Sequence, residues 1–130
     1  MKTIIAGGRN YQLTASDFNK IEEIHKKYGI TEVVSGEAAG VDSCGETFAH
    51  LHRIPIKPFR AYWSDVTLQP CVIGYRSDGT KYNKLAGLNR NTKMVEYADA
   101  LIVFRGGHGT QDTYSKALKK GITIFDLRRG

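Results

Sequence analysis

Residues 100–110 run ALIVFRGGHGT. The first part, Ala100 to Phe104, is an apolar run of strand length, the pattern of a strand covered on both faces. The second part, Gly106-Gly107-His108-Gly109-Thr110, is small and glycine-rich. Beyond it Tyr114, Ala117 and Leu118 recur on one helical face, predicting a helix that begins near Thr110 and stops at Gly121. A strand that passes through a glycine turn into a helix is the unit from which parallel α/β sheets are built.

The same unit recurs on the N-terminal side. Short apolar runs at Thr3–Ala6, Glu32–Ser35 and Pro55–Phe59, with a last one at Ile122–Phe125, predict four further strands; the two prolines put the third near a sheet edge. Between the first two, Thr14 and Asp17 form a capping-box pattern ahead of Phe18, Ile21, Ile24 and Tyr28, and Gly29 marks the stop. The next helix carries Val41, Cys44, Phe48 and Leu51 inward, with His50 and His52 projecting to solvent. A third runs from about Asn89 to Ala98 with Met94, Val95 and Ala98 inward. This alternation predicts an α/β, Rossmann-like three-layer fold, a mostly parallel sheet of about five strands with helices on both faces.

Residues 61–88 break the rhythm, being rich in Tyr, Gly, Asp, Asn and Lys without a sustained period. They read as an insertion or lid within a single domain spanning residues 1–130. Tyr62, Trp63, Tyr75 and Tyr82 either stack on a ligand's base or pack the insertion onto the domain or a second subunit.

A length of 130 residues suits one domain, and 41% hydrophobic with 25% charged residues is a soluble globular composition. The N-terminal apolar stretch, Ile4 to Ala6, is too short for a signal core or membrane span, which implies a cytoplasmic protein without membrane contact. Cys44 and Cys71 lie far apart without a paired motif and read as reduced thiols, so no metal and no cofactor is expected. The net charge of +6 favours an anionic partner, a phosphorylated small molecule or a nucleic acid. Lys26-Lys27, Lys119-Lys120 and Arg128-Arg129 sit at helix ends or the terminus, where they complement the helix dipole or stay solvated.

Three glycine turns follow predicted strand C-termini, the edge at which open parallel sheets bind ligands. After the first strand, Gly7 and Gly8 let a ligand approach the backbone and Arg9 offers a planar donor. After the second, Ser35, Gly36, Glu37, Gly40 and Asp42 lead into a helix whose first amides face an anion, or form a tight turn in which Asp42 favours the dipole. After the fourth, Gly106, Gly107, His108, Gly109 and Thr110 offer a string of amides and a hydroxyl. That turn has neither the P-loop lysine nor the GxGxxG spacing, which argues against ATP hydrolysis and nicotinamide redox chemistry. Arg90 and Asn91 open the preceding helix, where the arginine can grip phosphate. His108 reads as a hydrogen-bonding or exposed loop residue rather than a catalytic one.

Taken in order, GGR at residues 7–9, SGEAAGVD at 35–42, Ala61-Tyr62-Trp63, Ala86-Gly87 with Arg90-Asn91 and Met94, Ala98-Asp99, and GGHGT at 106–110 resemble the SLOG superfamily, which joins the DNA-uptake SMF/DprA proteins to the cytokinin-activating LOG enzymes. The resemblance spans nearly the whole chain and is greatest to the bacterial and phage YspA/cpYpsA-like branch. It implies a nucleotide-derived ligand across the strand ends and a homodimer or higher oligomer. LOG enzymes cleave the base from ribose phosphate with an Arg and the last Glu of PGGxGTxxE. Arg90 matches that Arg, but Thr113 stands where the Glu would be. A threonine cannot carry the charge that stabilises oxocarbenium character, so a carboxylate would have to come from Glu37 or Asp112. Glu37 stands where this branch usually has Gly, and Ala39 where it has Arg.

The leading expectation is a protein that senses or sequesters a nucleotide-like phosphorylated molecule, with Trp63 among its contacts. A nucleotide N-glycoside hydrolase or phosphoribohydrolase using Glu37, Arg90 and Asp112 is the alternative. DNA binding of the DprA kind comes third.

Overall fold

The computed structural model describes residues 1–128; Arg129, among the basic residues noted above, lies outside them. The chain runs β1 (Lys2–Ala6), α1 (Ala15–Tyr28), β2 (Glu32–Ser35), α2 (Val41–Leu51), β3 (Ile56–Pro58), β4 (Ile73–Tyr75), β5 (Lys81–Asn83), α3 (Ala86–Tyr97), β6 (Ala100–Val103), α4 (His108–Lys120) and β7 (Thr123–Asp126). Five strands form one sheet in the order β3-β2-β1-β6-β7, every neighbour parallel. The fold is the expected Rossmann-like α/β arrangement.

Alternation along the strands divides the core. Ile5, Val33 and Ile102 face α1 and α2, meeting Ile21, Val41, Phe48 and Ala49. Ile4, Ala6, Val34, Leu101 and Val103 face α3 and α4, meeting Met94, Val95 and Ala117. Ile4 sits in register with Val34 on one side and Leu101 on the other, all three on one face, while Ile5 makes the central strand apolar on the other face as well. β3, which follows Pro55 and ends on Pro58, is an edge strand.

The Thr14 capping box forms as expected: the Thr14 side chain accepts from the Asp17 amide and the Asp17 carboxylate accepts from the Thr14 amide. Several outlying expectations are corrected. Leu51 is 72% exposed and Leu118 56% exposed, and Tyr28 is half-exposed with its ring against Phe125 of β7; each lies in the last turn of its helix. His52 is half-buried rather than projecting: it follows α2, and its ring turns back to 4.2 Å from Phe48.

The segment 61–88 contains an antiparallel hairpin, β4 with β5, apart from the main sheet. Asn83 organises it: buried, it accepts from the Val72 and Leu85 amides at 3.3 and 2.9 Å and donates to the Pro70 carbonyl. That bonding starts α3 at Ala86, earlier than the expected Asn89, with Leu85 as an N-cap that lacks a side-chain acceptor. α4 likewise begins at His108, not Thr110, because the Gln111 amide already bonds back to the Gly107 carbonyl at 3.0 Å. No helix among the described residues is long and apolar enough to cross a membrane.

Candidate functional site

The chain builds β1, β2 and β3 outward and then returns to place β6 on the other side of β1. α1 leaves β1 toward one face of the sheet while α4 leaves β6 toward the other. The turns after these two strands therefore diverge and open a crevice, the switch point of a doubly wound sheet. A cleft of about 330 Å³ occupies it.

Three turns interlock around this cleft. The Gly8 amide donates to the Arg105 carbonyl at 2.8 Å, and the Gly8 carbonyl accepts from the Val41 amide at 3.2 Å. Gly40 packs over the same turn at φ 77°, where an added Cβ would lie 2.2 Å from the Gly8 oxygen. At Gly106 a Cβ would lie 2.2 Å from the Thr110 Oγ1 and 2.7 Å from the Gly8 nitrogen. These glycines serve the fit of one turn on another. Gly107 and Gly109 differ, since a Cβ at either meets open space. They belong to the start of α4, which has no side-chain cap and whose Gly107, His108, Gly109 and Thr110 line the cleft.

Arg90 crosses from α3 to the second turn. Its Nη1 donates to the Gly36 carbonyl at 2.5 Å and its Nε to the Asn91 Oδ1 at 2.9 Å. Asn91 in turn donates to the Gly109 carbonyl at 3.3 Å and to the Asp112 carboxylate at 3.1 Å. A polar bridge thus connects the second and third turns beneath the cleft. Arg9 reaches the same rim from β1 and is exposed.

The carboxylate that lines the cleft is Asp42, in the first turn of α2. Burial pushes its pKa up to about 6, opposed by a hydrogen bond from the Ala38 amide at 3.2 Å and by the charges of Arg90 and Arg9. The other two carboxylates considered above lie elsewhere. Asp112 is held by Lys116 at 2.6 Å and by Asn91, outside the cleft lining. Glu37 adopts φ 58° and lines a neighbouring cavity of about 300 Å³, 3.7 Å from Arg60. Trp63 borders that second cavity, and Arg9, Ala38 and Arg90 border both. Ser35 is fully buried, donating to Glu46 at 2.6 Å and accepting from the Glu37 amide at 3.0 Å.

Thr113, noted in the sequence as standing where a LOG enzyme has its glutamate, lines the cleft with Met94, its hydroxyl donating to the Gly109 carbonyl at 3.2 Å. One wall residue of the second cavity was passed over in the sequence. Arg60 follows β3 at the same sheet edge as the glycine turns, which is the signal that could have found it.

This topology places the chain among the Rossmann-like α/β proteins. No protein-family model and no curated protein matches it. Among solved structures it is similar to the X-ray structure of DNA processing protein A (DprA) from Streptococcus pneumoniae, with a TM-score of 0.67 and 17% identity over 96% of this chain. The chain aligns with 49% of that protein's chain, about half its length, and the likeness is one of fold.

Proposed function

We propose that the chain is a SLOG-type protein that binds a nucleotide-derived phosphorylated small molecule at the switch-point cleft, sensing or sequestering it. The convergence of the uncapped first turn of α4 with Arg9 and Arg90 on one crevice carries this reading. Helix N-terminal amides attract anions, and arginine matches phosphate with paired donors. The DprA-like fold supports the superfamily assignment.

Calorimetry with ribose 5-phosphate and nucleoside monophosphates tests it. Arg9 is exposed, so Arg9→Ala should keep the fold; hydrogen bonds to charged groups contribute about 1.5–3 kcal/mol, so a loss of about tenfold or more is expected. Arg90→Ala should lose at least as much, with circular dichroism checking that the Gly36 carbonyl it abandons has not unfolded the turn. Absence of binding by the unaltered protein at millimolar ligand overturns the proposal.

A phosphoribohydrolase is the second reading, favoured by the position of Asp42. A carboxyl group poised near neutrality beside a phosphate site is able to exchange a proton with a leaving base or stabilise positive charge on ribose. Chromatography of the same mixtures decides between the two: intact nucleotide supports binding, and free base supports turnover.

A further inference from the structure

We infer that the second cavity is a base subsite selective for guanine, a reading that rests on nucleotide binding at the cleft. The two cavities abut at Arg9, Ala38 and Arg90. A phosphate held at the start of α4 by these arginines gives the rest of a nucleotide about 300 Å³ of adjoining space.

The walls of that space suit a flat heterocycle. Trp63 borders it, 40% exposed, with its ring edge lying against Gly87, where a Cβ would come within 3.2 Å of Cη2. Arg60 adds a second planar group. Aromatic rings and guanidinium planes both stack on bases, and they do so without regard to which base is present.

Selectivity falls to Glu37, the carboxylate that lines this cavity. Its pairing with Arg60 is 3.7 Å long and solvent-exposed, so it is weakly held and open to exchange for a better partner. An ionised carboxylate has two acceptors and no donor. Guanine presents N1–H and the 2-amino group side by side, two donors that match it in a bidentate fashion. Adenine and cytosine set a donor beside an acceptor, and uracil sets one N–H between two carbonyls, so each places a lone pair against the carboxylate.

Trp63 is the single tryptophan of the chain, so tryptophan emission reports on the surroundings of this one wall residue. GMP, AMP and ribose 5-phosphate are titrated by calorimetry and by tryptophan emission, with the unaltered protein and with E37Q. The expected result is that ribose 5-phosphate binds with little change in emission, whereas GMP alters the emission and binds about tenfold or more tightly than AMP. In E37Q the ratio between GMP and AMP should fall to near one, since an amide offers one donor and one acceptor. Equal affinity of GMP and AMP for the unaltered protein, or a preference that survives E37Q, overturns the base subsite while ribose 5-phosphate binding keeps the phosphate cleft. Failure of all three ligands to bind overturns both.

Discussion

Asp42 has its carboxyl pushed up from 3.8 to about 6 because the protein withdraws it from water more than Arg90, Arg9 and the Ala38 amide compensate. A carboxyl that binds its proton more tightly when folded lowers stability as pH rises. The loss starts near the unfolded value of 3.8, is complete just above the folded value of about 6, and stays constant beyond it. A shift of this size corresponds to about 3 kcal/mol as an upper figure. Asp42→Asn keeps an acceptor for the Ala38 amide and removes the titration. Urea unfolding at pH 4, 5 and 7.5 should therefore show the variant gaining on the parent across that window, by about 2 kcal/mol at the top. A constant difference at all three values would mean that Asp42 is solvated. Asp42 gives the cleft a carboxylate from α2, whereas Thr113 of α4 brings only a hydroxyl.

The glycines of the three turns separate into two kinds once the elements are seen together. Gly40→Ala forces a Cβ into the Gly8 and Arg9 carbonyls at a positive φ, so it should unfold the protein or lower stability by about 3 kcal/mol or more. Gly109→Ala meets open space in the first turn of α4 and should leave the melting temperature almost unchanged while weakening phosphate binding, because the methyl stands where the anion approaches. Melting curves and calorimetry on both variants check the contrast; equal binding by Gly109→Ala would place the anion elsewhere. The five strands of the main sheet and the turn positions were legible in sequence because apolar runs such as Ala100–Val103 have few other solutions, whereas the short β4–β5 hairpin carries no such run. Helix ends were less so. Leu51 and Leu118 continue their helices' apolar stripes past the point where a neighbour exists, which periodicity along one element cannot register. The start of α3 depends on Asn83, whose amide joins three backbone positions separated in sequence, and Leu85 carries no capping signal. Arg60 became part of a cavity only through the packing of Trp63 and Glu37 around it.

Across the whole molecule, the net charge of +6 is distributed over opposite ends of the sheet. Arg9, Arg60 and Arg90 gather at the strand C-termini, whereas Lys26, Lys27, Lys119 and Lys120 lie in the last turns of α1 and α4, at the other end. Lys120 is engaged there, donating to the Glu96 carbonyl at 2.7 Å. A track for single-stranded nucleic acid needs consecutive cations, and affinity from a few phosphate contacts falls steeply with salt. Fluorescence anisotropy with a labelled oligothymidine should show weak association at low salt that disappears near physiological ionic strength. Tight binding that persists at about 200 mM salt would favour nucleic acid as the partner instead. The double bonding of Gly8, to Arg105 on one side and Val41 on the other, fixes how any ligand is enclosed. That single residue ties the turn after β1 to the turns that follow β6 and β2 at the mouth of the cleft. On the proposed binding, the ligand would meet a mould already set by these turns, and any closing over it would fall to the hairpin-bearing segment beside Trp63.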